Sequence, residues 1–318
     1  MNNSNNIIKY LHILKCPKDH SDLVIKDSNI KNNQIIDGEL ISKKDKNIYK
    51  IRNNIIRFVS SDNYSKSFEM QFKKFKDVQF DQVSDEMTNY TKDKFNNITN
   101  LANLNEKIVC EIGTGSGRFI NEVLKQKPKL VIALDYSGAI EQLKENITTN
   151  QDIIYIQADA LNNPIKDNSI DFVYSIGVLH HTKSVEKGFK EMCRIAKKNG
   201  EVCLSIYRKG YYCSICVTII RKFLNLFNDK IKFKLAYLYA LSVYHVIPNF
   251  LKRNIVAKFI PFIYLPNKEW SILDTIDSIT PVYQSCYTKK QVHDLFETNN
   301  MHSIKNTNWG VSHIEKKN

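Results

Sequence analysis

The chain has 318 residues, enough to bury a full hydrophobic core and to hold more than one average domain. Its 46 Lys and Arg against 33 Asp and Glu give a formal net charge of +13 at pH 7, which favours an anionic partner such as nucleic acid, a membrane surface or a phosphorylated substrate. The N-terminus lacks the pattern of a signal peptide, and no apolar run reaches the ~18 residues that span a bilayer. The seven cysteines are an odd number spread over predicted strands and helices, so we expect reduced thiols and a cytoplasmic protein.

Residues 1–60 form a first small unit. Cys16-Pro17-Lys18-Asp19-His20 precedes a Gly-Glu-Leu segment at 38–40 and a strand-like run at 49–58. This order resembles the Trm112-type zinc-ribbon module. A tetrahedral zinc site needs four ligands, and Cys16, Asp19 and His20 offer at most three. We therefore expect a β-rich module without a structural metal, used for packing or partner contact.

Residues 61–106 are predicted as a linker with capping helices. Phe68, Phe72, Phe75 and Phe80 fit one helix face, and we expect this helix to lie over the mouth of a binding site. A second helix is predicted within 86–106, with Ile98, Leu101 and Leu104 at helical spacing.

The segment from Val109 to Arg118 is a strand that runs into three glycines at alternate positions. Such a turn lets the backbone approach a ligand closely. The dinucleotide fingerprint needs a third glycine where Arg118 stands, and the ending of a P-loop is absent as well. The pattern resembles motif I, E/D-x-G-x-G-x-G, of the class I S-adenosylmethionine (SAM)-dependent methyltransferases.

Three more buried strands are predicted at 130–135, 153–157 and 171–176, and two of them are followed by carboxylates, Asp135 and Asp159. Open α/β sheets place their sites at the carboxyl ends of such strands. The resemblance implies that the glycines hold the methionine end of SAM, Glu111 its ammonium, Asp135 the ribose and Asp159 the adenine. The predicted cofactor-binding set is Glu111, Gly113, Thr114, Gly115, Gly117, Asp135, Tyr136, Asp159 and Ala160.

The resemblance, to the type 11 (UbiE-like) methyltransferases, covers roughly residues 107–206. It implies an α/β fold with a Rossmann-like seven-stranded sheet in a methyltransferase domain at 107–318. A helix end at 191–200 resembles a family segment in which Asn199 replaces a glycine cap. Predicted final elements are a helix at 289–298 capped by Thr288 and strands at 301–306 and 311–314.

A helical insertion is predicted at 207–265, after the fifth strand. Within 205–265 ten Lys or Arg stand against one acid, Asp229, so this stretch carries +9 of the total charge. Three interpretations are open: a lid on the core, an interfacial helix on anionic lipid at the inner face of the membrane, or a nucleic-acid surface. Cys213 and Cys216 lack a second pair, and we expect both to pack in the core.

Acceptor-site candidates come from three segments. His180 and His181 follow the fourth strand and are candidates for a general base. The segments 64–81 and 274–288 resemble blocks of a methyltransferase subfamily associated with bacterial surface-glycan or natural-product gene sets. That resemblance implies Phe68, Gln71, Tyr283 and Gln284 as substrate-binding residues.

Three functional hypotheses follow. The first is a SAM-dependent methyltransferase acting on a small-molecule, sugar or glycan acceptor. The second is an RNA methyltransferase, which the charge and the zinc-ribbon-like module favour, although no Asn-Pro-Pro-Tyr type motif for flipped bases follows the fourth strand. The third is a non-catalytic scaffold with the same fold, for which damaged cofactor residues would be expected.

Overall fold

The computed structural model describes residues 6–32, 34–60, 66–76, 78, 80, 89–100, 102–247, 260–306 and 311–317. The predicted helix position Leu101 and residues 248–259 of the insertion lie outside these ranges. The strands are β1 Leu23–Lys31, β2 Gln34–Ser42, β3 Ile48–Arg52, β4 Ile55–Arg57, β5 Ile108–Ile112, β6 Leu130–Asp135, β7 Ile153–Gln157, β8 Ile170–Ile176, β9 Ala196–Ile206, β10 Met301–Asn306 and β11 Val311–Lys317. The helices are α1 Asn6–Tyr10, α2 Lys66–Lys74, α3 Tyr90–Thr99, α4 Ile120–Lys125, α5 Ala139–Asn146, α6 Val185–Ile195, α7 Ile215–Leu224, α8 Asp229–Val246, α9 Lys268–Ile279 and α10 Lys289–Thr298.

Seven strands form the predicted Rossmann-like sheet, in the order β7-β6-β5-β8-β9-β11-β10. The strands from β7 to β9 are parallel, and β11 runs antiparallel to β9. Strands of this sheet are buried on both sides, because Val109 and Val131 belong to the core on one face while Cys110 and Ile132 belong to the core on the other. The sequence prediction of the fold is confirmed.

The N-terminal module continues this sheet. Strands β1 to β4 form an antiparallel meander, and β4 then pairs in parallel with β7, with Ile55 opposite Tyr155. The described strands therefore make one eleven-stranded sheet, β1-β2-β3-β4-β7-β6-β5-β8-β9-β11-β10.

Hydrogen bonds close the loop in which the resemblance to a zinc ribbon places metal ligands. The Cys16 Sγ lies 3.1 Å from the Tyr49 hydroxyl, and the Asp19 carboxylate accepts from the Ser21 hydroxyl at 2.7 Å and from the Asn47 amide at 3.2 Å. Burial acts to raise the pKa of Asp19, but hydrogen bonds from Ser42 and Ser21 outweigh it and hold that pKa well below its usual range. The Asp19 carboxylate is thus the ionised acceptor to which the polar groups of the loop donate hydrogen bonds.

The insertion packs against the chain through one face. Val217 and Leu224 of α7 and Ala236 and Ala240 of α8 are buried, and both helices contact α9. The two helices form a hydrophobic cluster with α9 and the segment that follows α2. This cluster is separate from the two cores on the faces of the sheet.

Within the described parts of the chain, none of the helices combines the length and the apolar character needed to cross a bilayer.

Two local predictions are wrong. The helix expected to run to Gly200 ends at Ile195, and Asn199, with a φ of 59°, lies inside β9. Its backbone is left-handed as expected, but it bends the start of a strand and does not cap a helix.

The expectation of reduced cysteines is also wrong for two of the seven, one of them in the insertion. Cys213 forms a disulfide with Cys286, 73 residues later, while Cys216 is a half-buried free thiol. The two partners meet because the chain after β9 runs beside the segment before α10, where Lys209 N donates to the Tyr287 carbonyl at 3.0 Å. The disulfide joins the start of the insertion to that segment.

Candidate active site

The glycine loop after β5 forms one wall of a pocket. Gly113 and Gly115 have φ values of 82° and 52°, which side chains rarely adopt. A Cβ on Gly113 would lie 2.3 Å from a Val178 methyl carbon, and one on Gly115 would lie 2.6 Å from the Phe72 ring. Gly117 does not line the pocket, because its Cα faces Leu143 behind the loop.

Asp135, at the end of β6, holds this loop in place. One of its carboxylate oxygens accepts from the Gly115 amide at 2.7 Å, and the other accepts from the amide and the hydroxyl of Ser137 at 2.8 and 2.6 Å. Burial raises the pKa of Asp135, and these hydrogen bonds oppose the rise. A ligand hydroxyl at Asp135 would therefore share an oxygen that already organises the protein backbone.

Two buried polar groups on the pocket wall have unused hydrogen-bonding capacity. Within the described residues, neither Glu111 Oε2 nor the Thr114 hydroxyl has a hydrogen-bond partner. Burial raises the pKa of Glu111 well above its usual range; the Tyr174 hydroxyl opposes the rise, and the nearby Asp135 adds to it. Native proteins seldom leave such atoms without a partner, so a polar ligand group fits beside them.

One end of the pocket is formed by residues that follow β7. Asp159, Ala160 and Tyr136, three of the predicted cofactor residues, line it. The Asp159 carboxylate caps a short 3-10 turn by accepting from the Leu161 amide at 2.9 Å through one of its oxygens.

Helix α2 covers the pocket from the side of the glycine loop. Phe68, Gln71 and Phe72 line the pocket, as expected for a helix at the site mouth. The Gln71 amide donates to the Thr280 hydroxyl at 3.0 Å, which fixes α2 to the end of α9. Gln71 thus acts as a clamp as well as a lining residue.

The structure separates the two candidate histidines. His180 is fully buried, its Nδ1 accepts from the Tyr207 amide at 3.3 Å, and its ring stacks on that tyrosine. Burial lowers the pKa of His180 well below its usual range, so the ring is neutral, and it does not line the pocket. His181 does line the pocket, and its Nδ1 lies 3.3 Å from the Tyr283 carbonyl. Because a carbonyl only accepts, this contact places the proton on Nδ1 and leaves Nε2 as a base.

A carboxylate and two tyrosines stand beside His181. The Asp277 Oδ2 lies 3.7 Å from His181 Nε2 and accepts from the Tyr207 hydroxyl at 2.8 Å. The rings of Tyr207 and Tyr212 stack with centroids 3.8 Å apart. Tyr207 and Tyr212 were not among the residues predicted to bind substrate. Asp277 belongs to the 274–288 block, whose resemblance implies that its Asp side chains reach the acceptor pocket.

Charged groups of both signs complete this half of the pocket. Lys94, Arg118 and Asp274 line it together with Asp277. Burial raises the pKa of Asp274 to about 6 against the pull of Lys94 and Arg118. Burial also lowers the pKa of Lys94 to about 8, with the charge of Arg118 adding to that effect. The sequence analysis missed Lys94, because α3 carries no motif. Arg118 ends the glycine segment and Asp274 opens the 274–288 block, and both segments were singled out in the sequence.

Two predicted substrate residues lie one layer outside the pocket. Tyr283 contributes the carbonyl that contacts His181, and the Gln284 amide donates to the Tyr212 carbonyl. Neither lines the pocket. Tyr283 contacts His181 and Gln284 contacts Tyr212, and both of these contacted residues line the pocket. The Cys213–Cys286 disulfide joins the segment of Tyr212 to the segment of Tyr283 and Gln284.

Comparison with known proteins assigns the class. Residues 110–204 match the family model described as a methyltransferase domain, and residues 8–54 match the model described as Trm112p-like protein. The chain thus carries a class I SAM-dependent methyltransferase domain behind a Trm112p-like segment, and the cofactor of this class is SAM.

Similar curated proteins share only part of their length with this chain. A tRNA U34 carboxymethyltransferase from Aliarcobacter butzleri is 27% identical over 127 residues, which is 39% of this chain and 42% of that protein. Phosphoethanolamine N-methyltransferase 2 from Caenorhabditis elegans is 31% identical over 108 residues, 32% of this chain and 24% of that protein. A solved complex of the Haloferax volcanii Trm112 methyltransferase activator with a methyltransferase aligns at 12% identity with a TM-score of 0.46, covering 78% of this chain and 80% of the solved one.

Proposed function

We propose that this protein transfers the methyl group of SAM to a small polar acceptor of the sugar, glycan or other small-molecule class. The observation that carries the proposal is that two groups of residues line one pocket. The glycine loop, Glu111, Asp135 and Asp159 form the first group, and we assign His181, Asp277 and Tyr207, which contact one another, to a second half.

The first half fits SAM. The glycines let Val178 and Phe72 pack directly on the loop backbone beside the pocket, and the unsatisfied Glu111 and Thr114 oxygens offer acceptors to the ammonium group of SAM. Asp159 and Tyr136 stand at the end where the resemblance places the adenine. Bound SAM supplies an electrophilic methyl group on a sulfonium, so positioning contributes most to the rate.

The second half fits an acceptor hydroxyl. An acceptor O–H beside His181 Nε2 and the Asp277 carboxylate, which lie 3.7 Å apart, would pass its proton to Nε2. With SAM bound, the acceptor oxygen would gain the methyl group while the carbon–sulfur bond breaks and the sulfonium becomes a neutral thioether. Asp277 then stabilises the imidazolium, while the Tyr283 carbonyl and the Tyr207 hydroxyl keep the two groups oriented. The stacked tyrosines offer an apolar wall to the carbon face of a sugar or another ring.

RNA is a second candidate acceptor. The insertion carries +9, and the curated proteins similar to this chain include several that are named for tRNA. Phe72 stands against the glycine loop and α2 is clamped to α9, so the pocket favours a small group over a nucleic-acid strand.

The first experiment is calorimetric titration of SAM and S-adenosylhomocysteine into wild type, Asp135→Ala and Asp171→Ala. Asp171 also accepts a backbone amide, that of Ile108 at 2.9 Å, but it lies outside the pocket, so it is a matched control. We expect binding by wild type and by the control, and a loss of at least tenfold in affinity for Asp135→Ala, which corresponds to about 1.4 kcal/mol.

Equal affinity in all three proteins would contradict the cofactor assignment. If wild type does not bind SAM, the enzyme hypothesis is contradicted and the hypothesis of a non-catalytic scaffold with the same fold is left. Once binding is established, radiolabelled methyl transfer to nucleotide sugars, lipid-linked glycans and RNA separates the acceptor classes, and labelling of RNA alone would overturn the preferred one.

A further inference from the structure

Helix α7 leaves an apolar stripe uncovered. Ile215, Ile219, Phe223 and the following Leu226 are 78, 61, 55 and 80% exposed. Ile215, Ile219 and Phe223 recur every four residues and lie on one face of α7, opposite the buried Val217 and Leu224, while Leu226 lies in the turn that follows the helix. Single exposed apolar residues are ordinary, but three on one helix face with a fourth in the next turn mark an interaction surface.

Helix α8 extends this surface. Ile231, Leu238 and Val246 are exposed, although the opposite face of the helix is buried through Ala236 and Ala240. Both helices pack onto α9 with their buried faces, so their exposed faces lie on the outer side of the same helical layer. Among the described residues nothing covers that side.

Cations border the apolar residues. Lys222, Lys230 and Lys234 are exposed on the same two helices. Asp229 supplies the only acid of 205–265, and it pairs with the buried Lys232 at 2.9 Å. The surface therefore presents the positive charges of these three lysines beside large aliphatic and aromatic side chains.

This combination selects one kind of partner. A nucleic-acid surface needs the lysines but gains nothing from a row of exposed isoleucine, leucine and phenylalanine. An interfacial helix needs both, because its apolar residues enter the boundary of the acyl chains while lysines extend toward anionic headgroups.

We propose that the outer face of α7 and α8, defined here as the docking face, binds in the plane of an anionic phospholipid bilayer. The face and the pocket are close along the chain, because Tyr212 lines the pocket and lies three residues before Ile215. Docking would therefore bring a residue of the acceptor wall near the lipid surface. This inference is independent of the chemistry proposed above and holds whether or not methyl transfer occurs.

The test is co-sedimentation with vesicles of phosphatidylcholine alone and of phosphatidylcholine mixed with phosphatidylglycerol. We expect wild type to bind the anionic vesicles and not the neutral ones. The variant with serine at all four stripe positions, I215S/I219S/F223S/L226S, should bind at least tenfold more weakly. Replacing Lys222, Lys230 and Lys234 by glutamine should weaken binding by roughly fivefold for each lysine.

A matched control carries serine at Ile30 and Ile48, which are 52 and 49% exposed on strands of the N-terminal module. It should bind vesicles like wild type, and melting curves must show that every variant is folded. Two results would overturn the proposal: no binding of anionic vesicles by folded wild type, or unchanged binding by the folded stripe variant. Light scattering tests for a third contradicting result. If wild type is a dimer that does not bind vesicles, and the stripe variant is a monomer, the docking face binds a second copy of the chain.

Discussion

Gly113 offers a quantitative test of how tightly the glycine loop is packed. Its φ of 82° and the 2.3 Å approach to Val178 are two separate obstacles to a side chain. Left-handed backbone costs alanine roughly 1–2 kcal/mol, and forcing an extra carbon into filled space costs roughly 1–3 kcal/mol. We therefore expect Gly113→Ala to lower the free energy of unfolding by roughly 2–5 kcal/mol.

Gly177 supplies the matched control. Its φ is 76°, and a Cβ there would meet nothing within 4 Å. Gly177→Ala should therefore lower the free energy of unfolding by the backbone contribution alone, roughly 1–2 kcal/mol. The difference between the two variants isolates the steric contribution of Val178.

Urea unfolding of the two variants and of Gly113→Ala combined with Val178→Ala measures this contribution. Val178 is only half-buried, so its truncation costs little, and the double variant should recover part of the loss seen for Gly113→Ala. Equal losses for Gly113→Ala and Gly177→Ala, or strict additivity in the double variant, would refute the described packing.

Three further expectations concern the acceptor half and the disulfide. The folded-state pKa of Asp274 is about 6 against an ordinary 3.8, so its ionisation costs stability as the pH rises. Asp274→Asn should therefore raise the free energy of unfolding by up to about 3 kcal/mol above pH 6. Below about pH 4 the free energy of unfolding should be unchanged, because the carboxyl is then protonated in both states. Urea titrations at the two pH values measure this, and the same gain at both would contradict it. His181→Asn should lower turnover of an identified acceptor roughly 10²-fold or more with SAM affinity unchanged, and undiminished turnover would exclude His181 as the base. Cys286→Ser should lower the free energy of unfolding by about 4 kcal/mol, since the bond closes a loop of 73 residues, whereas Cys216→Ser should not. Alkylation of the unreduced, unfolded chain should modify five cysteines, and modification of all seven would show that the pair is open.

The sheet could be predicted from the sequence because its strands are apolar runs bounded by glycines and carboxylates. β5, β6 and β7 begin and end close to the predicted residues, and the cofactor candidates collect at one edge because parallel strands share their carboxyl ends. The start of β9 could not be predicted, since Ala196 to Gly200 fits a helix end as well as a strand. Pairing with β8 decides between them.

The acceptor half resisted prediction for a different reason. Asp277 and Tyr207 lie 70 residues apart in sequence, and no local period or spacing connects them. The same holds for Cys213 and Cys286. In each case the tertiary fold creates the contact, so a single sequence offers candidates without revealing which of them meet.

The parallel pairing of β4 with β7 has a consequence for the chain as a whole. Without the first 60 residues, β7 would become an outer strand with free backbone N–H and C=O groups, which is a template for pairing with another chain. Ile55 and Ile56, both fully buried, would also leave apolar surface behind. The N-terminal module therefore covers the edge of the methyltransferase sheet at β7, and we expect the module and the sheet to fold as one unit.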